Sequence, residues 1–521
     1  MSDLQRLRDK AAGLLVVRFG SNMNPPRRAE EYVPEVQSLL ERYPIGGVLL
    51  FNGTWPDTRD ALVGLQQTAL RHEAKRPLLV MTDMERGVGQ QVKGATMFPH
   101  ARAFGALDDA EEMTERFARV SAREALACGI HVTFSPVADV NRNPDNPIIA
   151  TRAFGEEPEP VADLVAAYVR GCRAEGLLST AKHFPGHGNT AEDSHAVLPT
   201  VTDSRAEIEQ NDLVPFRAAF DAGCELVMTA HVSYPDLDPS GKPATLSAPI
   251  LKDLLRDELG FEGVVVSDSL HMGGILSGGQ TEVELAIEQV QAGVDLLLDA
   301  QDPAAIIEGL ADAVVRGEFS EDRLDEALAR AERLRTHFTE RFGEDVFTAP
   351  ASAVAAAEVG AEDHRRLAAQ IARRAVTVDG DAPHFETGDG LFAVLVKPHA
   401  SHLDPPEQPL GDALREALPG VAYREVGPET TEATFEAIQS EAEAADRVLV
   451  ALVVKPAAWR AFGLLPEQQR FVESLVAARP VTLAALGDPR ILGDFPDVEA
   501  HLCTYSDAPV AQQALASVLA A

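Results

Sequence analysis

The sequence predicts an α/β protein: a (β/α)8 TIM barrel followed by a smaller α/β sandwich domain. Three observations predict it. Val- and Leu-rich runs alternate with amphipathic helical patterns eight times over the first 345 residues. Polar, chemically capable residues end six of those runs in succession. Composition then shifts after a long charged helix, and a second α/β pattern begins.

The eight runs are 13–20, 45–51, 78–85, 131–140, 177–186, 226–232, 263–269 and 294–300. Near-continuous apolar character suits parallel strands buried on both faces. Helical patterns lie between them at 110–128, 161–175, 205–222 and 248–259. An open doubly wound sheet would need fewer strands or a glycine-rich nucleotide turn, and no GxGxxG follows the first run. Barrels carry their chemistry at the C-terminal strand ends. Those ends read Thr82-Asp83-Met84-Glu85, Asp139-Val140-Asn141, Lys182-His183, His231, Ser267-Asp268-Ser269 and Asp299.

The charged helix at 321–342 leads into an Ala-rich stretch at 351–360, read as a linker or short helix. Strands are expected at 391–397, 422–426, 447–454 and 481–487, with helices at 467–479 and 509–520. The expected division is a barrel domain at 1–345, a linker at 346–375 and a sandwich at 376–521. Trp459, Phe462 and Asp488 either pack that second domain or frame part of a pocket or contact surface.

The chain has 521 residues, 81 acidic and 46 basic, for a formal charge of −35. That balance disfavours nucleic acid and anionic membranes as partners. The first ten residues lack the apolar core of a signal peptide, and no apolar run of membrane-spanning length occurs. A cytoplasmic protein is expected, a monomer or homodimer. Cys128, Cys172, Cys224 and Cys503 are widely spaced in apolar contexts, as buried reduced thiols are.

The most informative stretch is Lys182-His183-Phe184-Pro185-Gly186-His187-Gly188-Asn189-Thr190-Ala191-Glu192-Asp193-Ser194-His195. It places three imidazoles, one ammonium and two carboxylates on one strand end and the loop after it. On residue types alone, Asp193 and His195 read either as a surface pair or as an acid/base dyad. Asp268 reads either as a helix cap or as a reactive carboxylate.

This stretch resembles the signature of family 3 glycoside hydrolases, in particular the β-N-acetylglucosaminidase branch. Asn141-Arg142-Asn143-Pro144 and Thr151-Arg152-Ala153-Phe154-Gly155 also resemble that family. The resemblance implies that Asp268 is the nucleophile, forming a covalent glycosyl-enzyme intermediate. It implies that His195, paired with Asp193, is the general acid/base. An imidazole titrates near neutral pH, which suits that task. Asp83, Arg152, Lys182 and His183 are implied to hold the sugar, and His231 to line the pocket as a contact or a supporting hydrogen bond. Glycines 186 and 188 are expected to let the loop swing. No metal or other cofactor is implied.

The implied substrate is a small carbohydrate with terminal β-linked GlcNAc, such as a peptidoglycan fragment, cleaved by a retaining exo-β-N-acetylglucosaminidase. Phosphorolysis of the same bond and β-glucosidase activity are alternatives within the family. Two departures stand out. The family usually reads Asp-x-Glu-Gly-Gly-Arg-Val-Gln-Arg after the third strand, and Val88 and Gln91 replace both arginines here. Asn189 also stands where Asp is common.

Other classes fit less well. A metal-dependent amidohydrolase would need His183 and His187 on one helix face, which Pro185 and Gly186 prevent. A Schiff-base aldolase would use Lys182 but leave Asp268 and the Asp-x-His pair unexplained. A non-catalytic sugar-binding protein would need neither of them.

Overall fold

A computed structural model describes residues 3–194, 196–276, 279–380, 383–400, 407–457, 459–460 and 462–520. The chain divides into two compact units. The first comprises Met1–Thr96, Thr114–Asn146 and Gly155–Ala361. The second comprises Met97–Met113, Pro147–Phe154 and Glu362–Ala521.

The first unit is the expected barrel. Its strands are β1 (Leu15–Phe19), β2 (Gly47–Leu50), β3 (Leu79–Thr82), β4 (Val132–Thr133), β5 (Leu178–Phe184), β6 (Leu226–Thr229), β7 (Val264–Val266) and β8 (Leu297–Leu298). All pair in parallel with their chain neighbours, and β8 returns to β1 through Leu15↔Leu297 and Val16↔Leu298. The seam between β7 and β8 closes through the Val266↔Leu296 bridge and the Ser267 N–H donated to Leu296 O at 3.0 Å.

Alternate strand residues fill the interior: Val16, Leu49, Leu79 and Met81, Val132, Leu178, Leu226 and Met228, Val264 and Val266, Leu298. The helix Glu321–Phe342 adds Ala331, Leu334 and Phe338 to this core, a helical spacing that presents one apolar face. Between them Arg335 is fully buried, donating to Pro77 O and Gly46 O at 2.7 Å each, at the N-terminal strand ends.

Two elements depart from the sequence reading. The fourth run forms only a two-residue strand before Pro136, which has no N–H to give a ladder. It stays beside β5 through Val137↔Lys182 and the Thr180 N–H donated to Ser135 O at 2.9 Å. The helix expected at 205–222 breaks into Arg205–Gln210 and Leu213–Asp221. Pro215 in the first turn of the second helix cannot continue the first, and Ser204 with Glu207 caps the first with a capping box.

The second unit is built on a six-stranded sheet: β9 (Thr377–Gly380), β10 (Leu391–Val396), β11 (Ala422–Val426), β12 (Arg447–Val454), β13 (Val481–Gly487) and β14 (Ala500–Cys503). Their order is β9-β14-β13-β12-β10-β11, all parallel except β9 against β14. Leu391, Ala393 and Leu395 face one apolar layer with Leu414 and Leu515. Phe392, Val394 and Val396 face another with Ile438 and Phe471. Within 346–375 the chain forms helices Ala353–Glu358 and Glu362–Ala375, the latter counted with this unit. Asp488 caps the turn after β13, accepting from Arg490 N at 2.9 Å. The four cysteines are free and buried.

Candidate active site

Strand alternation delivers the polar groups to the mouth of the barrel. Leu178, Thr180 and Lys182 share one face of β5, so the strand that fills the core ends by presenting an ammonium. One step beyond β3 the same phase runs Leu79, Met81, Asp83. One step beyond β7 it runs Val264, Val266, Asp268.

Lys182 is only 2% exposed. Its Nζ lies 2.7 Å from Asp83 Oδ1 and 2.8 Å from Glu85 Oε1, two carboxylates around one buried ammonium. Desolvating that cation is costly without such partners. Beside it, His183 Nδ1 meets Asp139 Oδ2 at 2.7 Å. Asp139 Oδ1 also accepts the backbone N–H groups of His183 at 3.2 Å and His187 at 2.7 Å. Burial alone would raise the Asp139 carboxyl. The charge and hydrogen bond of His183, with the His187 contacts, hold it below its ordinary value.

The loop after β5 is tied down from inside. His187 is buried; its Nδ1 bonds Thr190 Oγ1 and its Nε2 bonds Ser194 Oγ, each at 2.9 Å. Asn146 donates to His187 O at 2.9 Å, and Tyr234 Oη to Gly186 O at 2.7 Å. A Cβ at Gly188 would lie 1.8 Å from Val140 O, so this position is glycine for close approach of two backbones. Gly186, at φ +138°, has Asp212 Cβ at 2.7 Å from where its own Cβ would be. Both glycines thus make room for close packing. Arg142 pairs with Asp203 and Asp212, and Asn189 Nδ2 reaches Asp203 at 2.9 Å. Burial, offset in part by Arg142, pushes the Asp212 carboxyl up to about 7.

A second cluster joins β6, β7, β8 and β1. Asp268 is half-buried, and its Oδ1 accepts the Ser269 N–H at 2.7 Å, which fixes the carboxylate's rotation. His231, fully buried, places Nε2 3.1 Å from Ser269 O. Ser269 Oγ donates to Asp299 Oδ2 at 2.7 Å, and Arg18 Nε to Asp299 Oδ1 at 2.8 Å.

Of the sequence-predicted residues, Asp83, Lys182, His183, His231 and Asp268 thus sit at the C-terminal strand ends of the barrel. Asp193 lies on the loop after β5, its carbonyl accepting from Ala196 N at 2.9 Å. His195 lies outside the described residues. Arg152 belongs to the second unit, on the turn Ala150–Arg152, where Nη1 donates to Ile148 O at 2.9 Å. The replaced arginine positions have other work: Val88 is fully buried, and Gln91 Oε1 accepts from Asn22 Nδ2 at 2.9 Å.

Sequence reasoning gave no role to Asp139, Glu85 or the Arg18–Asp299 pair. Asp139 carried the same signal as its neighbours, a carboxylate at a strand end. Arg18 was a lone cation within an apolar run. Among the described residues no group of three His, Cys, Asp or Glu side chains converges as metal ligands would.

A family model described as glycosyl hydrolase family 3 N terminal domain matches residues 6–334. The β-hexosaminidase A of Pseudoalteromonas piscicida is 34% identical over 412 residues, 74% of this chain and 66% of that protein. A β-hexosaminidase of Vibrio cholerae is 35% identical over 330 residues, covering 60% of this chain and 97% of its own. The solved structure of a glycoside hydrolase family 3 β-N-acetylglucosaminidase from Paenibacillus sp. superposes with a TM-score of 0.87. It is 31% identical, and the match spans 98% of this chain and 96% of that one.

Proposed function

The chain belongs to glycosyl hydrolase family 3, and on that premise we propose that it is a retaining exo-β-N-acetylglucosaminidase. One observation carries the reading. A carboxylate, Asp268, follows β7 at the barrel mouth, where β5 also ends in a buried Lys-His pair and leads into the Asp-x-His loop. The β-hexosaminidase names of the relatives support the sugar.

In the proposed reaction Asp268 attacks the anomeric carbon as the glycosidic C–O bond breaks. The leaving oxygen takes a proton from the His195 imidazolium, which Asp193 orients. A glycosyl ester on Asp268 results. Water then gives a proton to His195 and attacks the same carbon, and the Asp268 carboxylate leaves. Two displacements return the original anomeric configuration. Asp83, Lys182, His183 and His231 position the sugar. Asp139 acts through His183, holding its ring by Nδ1.

The proposed substrate is a small carbohydrate with non-reducing terminal GlcNAc, of the kind released from peptidoglycan, in the cytoplasm. No helix is long and apolar enough to cross a membrane among the described residues. The test is nitrophenol release from β-linked 4-nitrophenyl GlcNAc and glucoside, with and without phosphate. Preference for GlcNAc without phosphate dependence is the expected result. Phosphate dependence with a sugar-1-phosphate product would make it a phosphorylase, and preference for the glucoside a β-glucosidase.

A further inference from the structure

At the opposite, N-terminal end of the barrel lies a cavity of about 320 Å³. That is at the lower end of the roughly 300–1,000 Å³ of small-molecule sites. Its floor is the start of β5 and β7, at Leu178 and Val264. Its wall is the middle and C-terminal part of the helix Glu321–Phe342, which contributes Arg330, Arg333, His337 and Arg341. Arg173 and Glu225 complete the charged lining.

The charge of this lining runs against that of the chain. Acidic residues outnumber basic ones 81 to 46 overall, yet four guanidinium groups meet a single carboxylate here. Two of the four arginines, Arg333 and Arg341, are held by backbone carbonyls. Arg333 donates to Glu262 O at 2.9 Å, and Arg341 to Ala174 O at 2.6 Å and Arg173 O at 3.3 Å. These are carbonyls without net charge. Arg173 donates to Gly223 O at 2.5 Å and reaches Glu225 only at 3.5 Å. Arg330 lies 3.1 Å from Asp295, but Arg256 and Arg323 each lie 2.9 Å from the same carboxylate. Three cations there share one anion.

Burial comes first in setting the titratable groups beside it. Burial first, then Arg341 and Arg173, hold the His337 imidazole below its ordinary value. Burial pushes the Glu225 carboxyl up to about 7, so near neutral pH the one acidic group is only partly charged. Carbonyl capping needs donors, but it does not need four like charges around one hollow.

We infer that this cavity is a binding site for a small phosphate-bearing anion, separate from the barrel's sugar site. Planar guanidinium forks match phosphate oxygens two at a time, and the partly exposed rim lets such a ligand enter.

The test is calorimetric titration of the whole protein with inorganic phosphate and with pyrophosphate at low ionic strength, beside thermal melting. Saturable heat and a rise in Tm with ligand are expected. The double variant Arg333→Gln/Arg341→Gln is expected to weaken binding at least roughly tenfold, with turnover of the aryl glycoside unchanged. No saturable heat from either anion overturns the inference. So does an affinity the double variant leaves unchanged, since the anion then sits elsewhere, as in the sugar site. If the double variant does not fold, Arg333→Gln alone replaces it. That residue is exposed and surrenders one carbonyl bond, and the same weakening in direction decides the matter.

Discussion

Replacing Lys182 with Met keeps the side chain's length and removes its charge. Asp83 Oδ1 and Glu85 Oε1 each touch Nζ, at 2.7 and 2.8 Å, so the two oxygens are at most about 5.5 Å apart. At an effective dielectric near 20, two negative charges at that distance repel by about 3 kcal/mol. The partial exposure of Asp83 screens this toward about 2 kcal/mol. Lys182→Met should therefore lower stability at pH 8 by about 2–3 kcal/mol, a fall in barrel Tm of several degrees.

The deficit has a sign in pH. A proton on either carboxylate relieves the repulsion, so the folded variant binds protons more readily than the unfolded chain. Its stability falls as pH rises. The Tm gap to the wild type should narrow between pH 8 and pH 4.5. In Lys182→Met/Glu85→Gln one of the two charges is gone, and most of the gap at pH 8 should close. Scanning calorimetry of the three proteins across pH is the assay. A Lys182→Met protein as stable as the wild type at pH 8, or a gap that Glu85→Gln does not reduce, would refute the reasoning.

Other substitutions test the remaining parts of the site. His195→Ala should lower kcat/KM by roughly 10²–10⁴ on natural glycosides but much less on aryl glycosides with good leaving groups. Equal losses on both would exclude it as the acid. His187→Ala removes the ring that holds Ser194 and Thr190, so it should lower kcat with KM little changed and cost about 1–3 kcal/mol in stability; steady-state kinetics and melting separate the two effects, and His187→Asn should restore part of the rate. Asp212→Asn mimics the protonated acid of a carboxyl pushed up to about 7. The wild-type carboxyl's stability contribution is present in acid and is lost as pH rises through 7, so the variant should gain on the wild type between pH 5 and pH 8. A Tm difference flat in pH would mean that Arg142 keeps Asp212 charged throughout.

The barrel was legible because parallel strands buried on both faces leave unbroken apolar runs, and Leu178–Phe184 is a clear case. The placement of Lys182 and Asp268 at the barrel mouth was legible because strand phase carries a charged residue out of the core there. What the sequence hid was pairing across strands. Nothing local distinguishes Asp139, which orients His183 from a neighbouring strand, from any other strand-end carboxylate. Likewise, no local pattern ties Met97–Met113 and Pro147–Phe154 to Glu362–Ala521, since that grouping rests on contacts between residues hundreds of positions apart. The close packing at glycines 186 and 188 was hidden for the same reason. A glycine that makes room for Val140 O or the Asp212 side chain looks, in one dimension, like a glycine that bends. The strand β9 was missed because it is exposed along its whole length and leaves no apolar run.

The most direct test of the central claim is to quench the enzyme during turnover of a β-GlcNAc glycoside and map any adduct by peptide mass, while proton NMR follows the first sugar anomer released. The account predicts one N-acetylhexosamine on the peptide containing Asp268, absent in Asp268→Ala, with the β anomer formed first. An α anomer formed first, with no adduct on Asp268, would contradict it.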